Sequence, residues 1–188
     1  AGTGLAPLCG ILEDRAARDA RASEAAPAAL YAGFRAESEF LRRDELIGWR
    51  KAGFLSRLAV AFSRRGPAKA YVQDALDGDG AQVWDLLARP DARVMICGDA
   101  KMGQDVEERL LQIVQREAGF GYPRALAFLQ AMKREGRLVE DVWGVQLNRE
   151  VALPEVVRAK YDRGSGWFAR LQRGPSPLGP ATGSIERW

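Results

Sequence analysis

Hydrophobic residues occur along the chain in two patterns, one at helical spacing and one in short continuous runs. Apolar residues three and four apart predict an amphipathic helix over 101–119, with Val106, Leu110 and Ile113 on one face. The same spacing predicts further helices, one that begins near Pro7 and others over 38–53, 69–89 (interrupted at "DGDG") and 122–136. Short apolar runs predict buried strands over 28–34, 54–63, 92–100 and 137–143.

Strands therefore alternate with helices along the chain. This order is typical of an α/β fold with a doubly wound, mostly parallel, Rossmann-like sheet and helices on both faces. Ligands of such sheets bind outside the carboxyl ends of the strands. The residues that could carry chemistry follow the predicted strands: Arg35 after the first, Ser63 and Arg64 after the second, and Cys97-Gly98-Asp99 at the end of the third.

The loop Gly2-Thr3-Gly4 opens the first predicted helix. Backbone N–H groups of such a loop, together with the positive end of a helix dipole, suit a phosphate. In this fold a glycine loop normally follows a strand, and no strand precedes Ala1. We therefore expect that the first strand is lacking from this chain, which would make the chain a fragment of a longer protein.

Composition narrows the chemistry that the chain can perform. With 188 residues, 47% hydrophobic and 28% charged, it has room for one α/β domain and a tail, and no apolar run is long enough to span a bilayer. No signal peptide is visible, and two cysteines make no disulfide framework, so we expect a cytoplasmic protein. The chain has no histidine, which excludes serine–histidine and cysteine–histidine catalysis and histidine metal sites.

The positive charge is concentrated at the C-terminal end. Residues 144–188 hold seven basic and four acidic side chains, a balance of +3, whereas residues 1–143 hold 21 of each. We therefore divide the chain into a domain over 1–143 and a basic extension over 144–188. The neutral domain gives little support for nucleic-acid binding.

The segment "AFSRRGPAKAYVQ" places a hydroxyl, cations and an aromatic ring after a strand. Arg64 and Lys69 can neutralise a phosphate dianion, the Ser63 hydroxyl can donate to it, and the ring of Tyr71 can stack on an adenine. This pattern favours the 2′-phosphate of NADP(H) over NAD(H). A solvated basic turn without a ligand is the alternative interpretation.

Six ordered motifs resemble the NADP-binding half of the ferredoxin–NADP reductase superfamily, and more closely the diflavin reductases. They are "GTGLAP", "LYAGFR", "EFLRRDEL", "AFSRRGPAKAYVQ", "VMICGDAKMGQDVEE" and "GRLVEDVW". The resemblance implies that Ser63, Arg64, Lys69, Tyr71 and Gln73 hold the 2′-phosphate and the adenine. It also implies that Gly2, Thr3 and Gly4 lie near the pyrophosphate and nicotinamide, and that Arg35 contacts the cofactor phosphates.

The same resemblance implies a second group of residues at the nicotinamide and the flavin. Cys97 of the Cys97-Gly98-Asp99 turn would sit beside the nicotinamide and assist hydride transfer, and Asp105 would contact the ribose. Asp141 and Trp143 match the acid and the aromatic that covers the flavin ring. The alternatives are that Cys97 is a small core residue and that Trp143 is a core aromatic.

The start of the extension, "EDVWGVQLN", is similar to the reductase part of nitric oxide synthase, in which a regulatory tail follows. Residues 154–172 could form a short basic helix, and residues 173–185, rich in Gly, Pro and Ser, are typical of a flexible segment. Such a tail could gate cofactor access or meet an acidic partner. A disordered terminus without a role is the alternative.

These observations lead to two hypotheses about function. In the first, the chain is the NADPH-binding module of a flavin-dependent oxidoreductase, which passes hydride to FAD on a preceding domain and electrons on to FMN, haem or another acceptor. The family's FAD-binding motifs are absent, so the fragment alone should bind NADP(H) without turnover. In the second, it is a degenerate nucleotide fold that acts as a protein-interaction domain. A P-loop enzyme is excluded by the lack of its glycine–lysine motif.

Overall fold

The computed structural model describes residues 4–18, 26–66 and 69–144. Gly2, Thr3 and the whole extension from 145 onward, including the helix expected over 154–172, lie outside the described residues. The helices are α1 (Leu5–Arg18), α2 (Arg43–Lys51), α3 (Val72–Gly78), α4 (Gly80–Leu87), α5 (Ala100–Glu117) and α6 (Tyr122–Arg134). The strands are β1 (Ala29–Phe34), β2 (Arg57–Phe62), β3 (Val94–Asp99) and β4 (Leu138–Trp143).

The predicted elements are confirmed, with one change in a helix. The helix expected over 38–53 is a 3₁₀ turn at Glu37–Glu39 followed by α2, which begins only at Arg43. Arg42 interrupts it because its backbone is left-handed, with φ of 55°. The Arg42 guanidinium bonds to Glu45 in α2 and to Glu13 in α1 and thereby ties the two helices together.

The strands pair in parallel, as predicted, but in two separate pairs. β1 runs beside β2 from Ala29 opposite Arg57 to Phe34 opposite Phe62. β3 runs beside β4 with Cys97 opposite Asp141. Within the described ranges β1 and β3 form no ladder with each other, so the doubly wound sheet is divided at its middle.

Each strand pair has its own hydrophobic core. The α1 core lies between α1, α2 and the first pair, and its members are Leu5, Cys9, Leu12, Leu30, Ala32, Phe34, Leu46 and Leu55. The α5 core is larger and includes the buried residues Val72, Leu76, Val83, Leu87, Ile96, Val106, Leu110, Ile113, Val114, Ala125, Leu129, Met132 and Leu138. Helices α3 to α6 and the second strand pair contribute to it.

The break between α3 and α4 falls at Asp79, within the "DGDG" that predicted it. The Asp79 carboxylate accepts two hydrogen bonds from Arg57 of β2, at 2.6 and 3.1 Å, and one from the Tyr31 hydroxyl of β1 at 3.1 Å. The Arg57 guanidinium lowers the pKa of Asp79, while burial and then Asp79 raise the pKa of Tyr31. The turn between the two helices is thus fixed to the first strand pair.

Across the described ranges, every helix is too short or too polar to cross a bilayer.

Candidate functional site

The first half of the candidate site lies where β1 and β2 end. The Ser63 N–H donates to the Phe34 carbonyl at 2.9 Å, and the Arg64 N–H donates to the Arg35 carbonyl at 2.8 Å. These bonds continue the parallel ladder beyond both strands, so Arg35 and Arg64 leave the carboxyl edge of the sheet side by side. Both side chains are exposed. Arg35, Ser63 and Arg64 therefore lie together at the carboxyl edge of the first strand pair, with side chains of the kinds that bind anions.

An aromatic cluster supports this edge. The rings of Phe34, Phe40 and Phe62 lie 5.1 to 6.4 Å apart. The guanidinium of Arg65 lies 5.9 Å from the Phe62 ring centre and pairs with the Glu37 carboxylate at 3.1 Å. Sequence reasoning missed Glu37, although an acid two positions after Arg35 was the available signal.

Lys69, Tyr71 and Gln73 lead from this edge into α3. Lys69 is exposed, and Tyr71 is the N-cap of α3 with its backbone N–H donating to the Asp74 carboxylate at 2.8 Å. Tyr71 is 44% exposed, so its ring is accessible to a stacking partner. Gln73 follows in the first turn of the helix.

The second half of the site lies at the end of β3. Cys97 is buried and lies opposite Asp141 on β4, and its thiol donates to the Asp141 Oδ2 at 3.6 Å. Burial is the main cause that raises the pKa of Cys97, and the negative charge and hydrogen bond of Asp141 raise it further. At neutral pH this side chain is a thiol and not a nucleophilic thiolate.

The turn after Cys97 joins β3 to α5. Gly98 is buried with φ of 151°, a backbone conformation that favours glycine. The Asp99 carboxylate caps α5 by accepting from the N–H groups of Lys101 at 2.9 Å and Met102 at 3.3 Å. Asp105 lies one turn further along α5 and pairs with Lys101 at 3.0 Å.

Trp143 ends β4 opposite Asp99 and is 46% exposed. The interpretation of Trp143 as a core aromatic therefore loses its support in this structure. The next residue, Gly144, has φ of 103° and lies beside Asp99: a Cβ added to Gly144 would fall 3.6 Å from the Asp99 carboxylate. The chain thus turns immediately after the indole.

Gly4 brings the start of α1 against the second half of the site. A Cβ at this position would fall 2.7 Å from the carbonyl carbon of Cys97, nearer still to its oxygen, and 3.1 Å from the Gly98 nitrogen. Only glycine fits at this approach. A small cavity of about 30 Å³ lies between Gly4, Cys97 and the β1 residues Gly33 and Phe34.

Comparison with known proteins agrees with this geometry. Residues 1–108 match the family of oxidoreductase NAD-binding domains. The chain belongs to this family. NADPH–cytochrome P450 reductase from Bos taurus is 36% identical over 144 residues, and the human enzyme is 34% identical over the same length. Methionine synthase reductase from Bos taurus is 38% identical over 157 residues.

These matches cover 76% of the chain and confirm its resemblance to the NADP-binding half of diflavin reductases. The chain spans only 21% of the length of the P450 reductases and 22% of the methionine synthase reductase.

Proposed function

We propose that this chain is the NADPH-binding module of a flavin-dependent oxidoreductase. The observation that carries the proposal is the hydrogen-bonded junction beyond β1 and β2, which sets Arg35, Ser63 and Arg64 side by side at the carboxyl edge. Family membership supports a dinucleotide as the ligand, and the cations select the form that carries a 2′-phosphate.

The side chains at this edge fit NADP(H) in charge and chemical type. Ser63, Arg64 and Lys69 would hold the 2′-phosphate, while the exposed ring of Tyr71 and the amide of Gln73 would hold the adenine. Arg35 would meet the cofactor phosphates, and Gly2, Thr3 and Gly4 would lie near the pyrophosphate. Bound NADPH would supply a hydride for FAD held by a preceding domain.

At the nicotinamide end, this chain supplies positioning. The neutral thiol of Cys97, held by Asp141 at 3.6 Å, would pack beside the nicotinamide and keep a donor near the reacting carbon. Gly98 would permit close approach, and Asp99 and Asp105 would border the ribose. The half-exposed indole of Trp143 would cover the flavin ring until nicotinamide replaces it.

The relatives also suggest the domain organisation, partners and cellular location of this chain. Residues 1–143 would form the NADP(H)-binding domain, and residues 144–188 a basic extension. Partners would be FAD- and FMN-binding domains and a haem protein or another electron acceptor, since the relatives include a reductase of cytochrome P450. The two cysteines are both thiols, which fits a cytoplasmic setting.

Calorimetric titration with NADP⁺ and NAD⁺ tests the proposal, using Arg64→Glu and a charge-matched control, Arg134→Glu. Arg134 is exposed at the end of α6, away from the carboxyl edge. We expect NADP⁺ to bind at least about tenfold more tightly than NAD⁺ (~1.4 kcal/mol). Arg64→Glu should abolish that preference and Arg134→Glu should keep it.

Equal affinity for both nucleotides in the parent chain would refute the 2′-phosphate assignment. If neither nucleotide binds to a folded chain that also carries the FAD-binding domain, the degenerate interaction module becomes the better description.

A further inference from the structure

An ion pair joins the two loops that follow β1 and β2. Nη1 of the Arg65 guanidinium lies 3.1 Å from Oε1 of the Glu37 carboxylate. Arg65 directly follows Arg64, and Glu37 comes two positions after Arg35. The hydrogen bond from the Arg64 N–H to the Arg35 carbonyl, 2.8 Å long, holds the two loops side by side. The Arg65 guanidinium is therefore beside the edge at which we place the 2′-phosphate.

This ion pair is accessible to solvent. The exposed fraction of the side chain is 70% for Arg65 and 53% for Glu37. Ion pairs as exposed as this contribute little to stability, so the cation can change its partner easily. The centre of the Phe62 ring lies 5.9 Å from the guanidinium carbon and keeps the cation near the edge, whichever anion it meets. Phe62 is itself packed against Phe34 and Phe40.

A phosphate monoester is a stronger partner for this cation than a carboxylate. It carries a charge of about −1.5 to −2 at neutral pH and three acceptor oxygens, whereas a carboxylate carries a single charge. Consecutive Cα atoms lie about 3.8 Å apart, so a phosphate bound by Arg64 is within reach of the long side chain of Arg65. The planar guanidinium can bind two phosphate oxygens at once. A 2′-phosphate would therefore compete with Glu37 for Arg65.

Glu37 has a separate effect while no anion is bound. Arg64 and Arg65 are neighbouring cations, and their charges repel each other. The Glu37 carboxylate neutralises one of them and so reduces the repulsion at the empty edge. A bound phosphate dianion would take over this neutralisation, which leaves Glu37 without a necessary role in the complex.

We propose that Arg65 is a further specificity-determining residue for the 2′-phosphate and that Glu37 is its positioning residue, which releases Arg65 when the phosphate binds. The proposal rests on the proposed function of the same edge. It assigns opposite effects to the two residues: Arg65 increases the affinity for NADP⁺, and Glu37 decreases it. NAD⁺ has no 2′-phosphate, so its affinity should depend little on either residue.

A simple clamp between the two loops leads to a different expectation. If the ion pair served only to hold the loops together, loss of either residue would loosen the edge. Both substitutions would then weaken binding, and they would weaken it for both nucleotides. The sign of the Glu37 effect and the comparison of NADP⁺ with NAD⁺ therefore separate the two roles.

Calorimetric titration of the 188-residue chain with NADP⁺ and NAD⁺ tests the proposal. The variants are Arg65→Ala, Arg65→Lys and Glu37→Gln. The matched control is Arg134→Ala, which removes an exposed cation at the end of α6. Thermal denaturation followed by circular dichroism verifies that each variant is folded, as expected for substitutions of exposed side chains.

We expect Arg65→Ala to weaken NADP⁺ binding by about fivefold and Glu37→Gln to strengthen it, with NAD⁺ affinity changed by less than about twofold in both variants. Arg65→Lys should retain part of the affinity, because lysine keeps the charge but loses the two-pronged donor. Arg134→Ala should bind both nucleotides as the parent chain does.

Two results would overturn this proposal alone, provided that the parent chain prefers NADP⁺ and Arg64→Glu abolishes the preference. The first is unchanged NADP⁺ affinity in Arg65→Ala, which would show that Arg65 does not meet the phosphate. The second is weaker binding of both nucleotides in Arg65→Ala and in Glu37→Gln, which would show a clamp. A parent chain without a preference for NADP⁺ would overturn the proposed function as well.

Discussion

Replacement of Gly4 by alanine tests the close approach on which the second half of the site depends. The new methyl group would fall 2.7 Å from the Cys97 carbonyl carbon, and backbone atoms cannot swing aside as a side chain can. The start of α1 and the end of β3 must therefore separate by roughly half an ångström or more. Leu5 and Cys9 are buried in the α1 core, so the displacement also disturbs packing there.

Such overpacking costs about 1–3 kcal/mol of unfolding free energy, with a midpoint near 2 kcal/mol. For a chain of this size, that corresponds to a fall of roughly 4–8 °C in Tm. NADP⁺ should also bind more weakly, because the methyl group shifts the Cys97 backbone at the proposed nicotinamide end. Thermal denaturation followed by circular dichroism and calorimetric titration give the two readouts.

Gly10→Ala is the matched control, since it makes the same substitution in the same helix. A Cβ at Gly10 meets nothing within 4 Å. Alanine should therefore stabilise α1 by about 0.5–1 kcal/mol and leave NADP⁺ binding unchanged. If Gly4→Ala proves as stable as Gly10→Ala, the close approach of α1 to β3 is wrong.

Two further predictions concern the two halves of the site. Asp141→Asn removes a charge that raises the pKa of Cys97, so the pKa should fall and the thiolate fraction at pH 8 should increase, by about tenfold for each unit of pKa; peptide-resolved alkylation with iodoacetamide measures this. Glu37→Gln releases the Arg65 guanidinium and removes a carboxylate from the edge proposed to hold the 2′-phosphate, so NADP⁺ should bind up to about fivefold more tightly at low salt.

Each of these predictions has an internal comparison. Cys9 is also buried, and its pKa is raised mainly by burial and not by Asp141, so its alkylation reports on general loosening of the fold. Slower alkylation of Cys97 in Asp141→Asn would contradict the stated effect of the carboxylate. Glu39→Gln changes a carboxylate in the same 3₁₀ turn, and equal gains from Glu37→Gln and Glu39→Gln would show a general charge effect without a role for Arg65.

The pattern of apolar residues was sufficient to predict the order and type of the helices and strands. Each helix has an apolar stripe at helical spacing, and each strand has a short apolar run. It failed at Arg42, where the apolar spacing continues through Phe40 and Leu41 but the backbone turns left-handed. The guanidinium that holds this turn bonds to Glu13, 29 residues away. Contacts between distant positions of this kind leave no periodic signal in the sequence.

The position of the candidate site followed from topology, since strand ends meet at one edge of a parallel sheet. The side-chain contacts within the site could not be predicted from topology. The hydrogen bond between Cys97 and Asp141 depends on the register of two strands whose paired residues are 44 positions apart. The ion pair between Glu37 and Arg65 likewise joins two segments that are distant in sequence, one after β1 and the other after β2.

The two hydrophobic cores have a consequence for how the protein melts. The Arg64 half of the site is built on strands whose inner face joins the α1 core, whereas β3 and β4 belong to the α5 core. The two cores are linked where Tyr31 packs against the α5 core and where the Asp79 carboxylate accepts hydrogen bonds from Tyr31 and Arg57. A dinucleotide bound across both halves, as proposed, would add a further link between the cores. Its binding would then raise the free energy of unfolding, so the nucleotide would act as a noncovalent crosslink in addition to its chemical role.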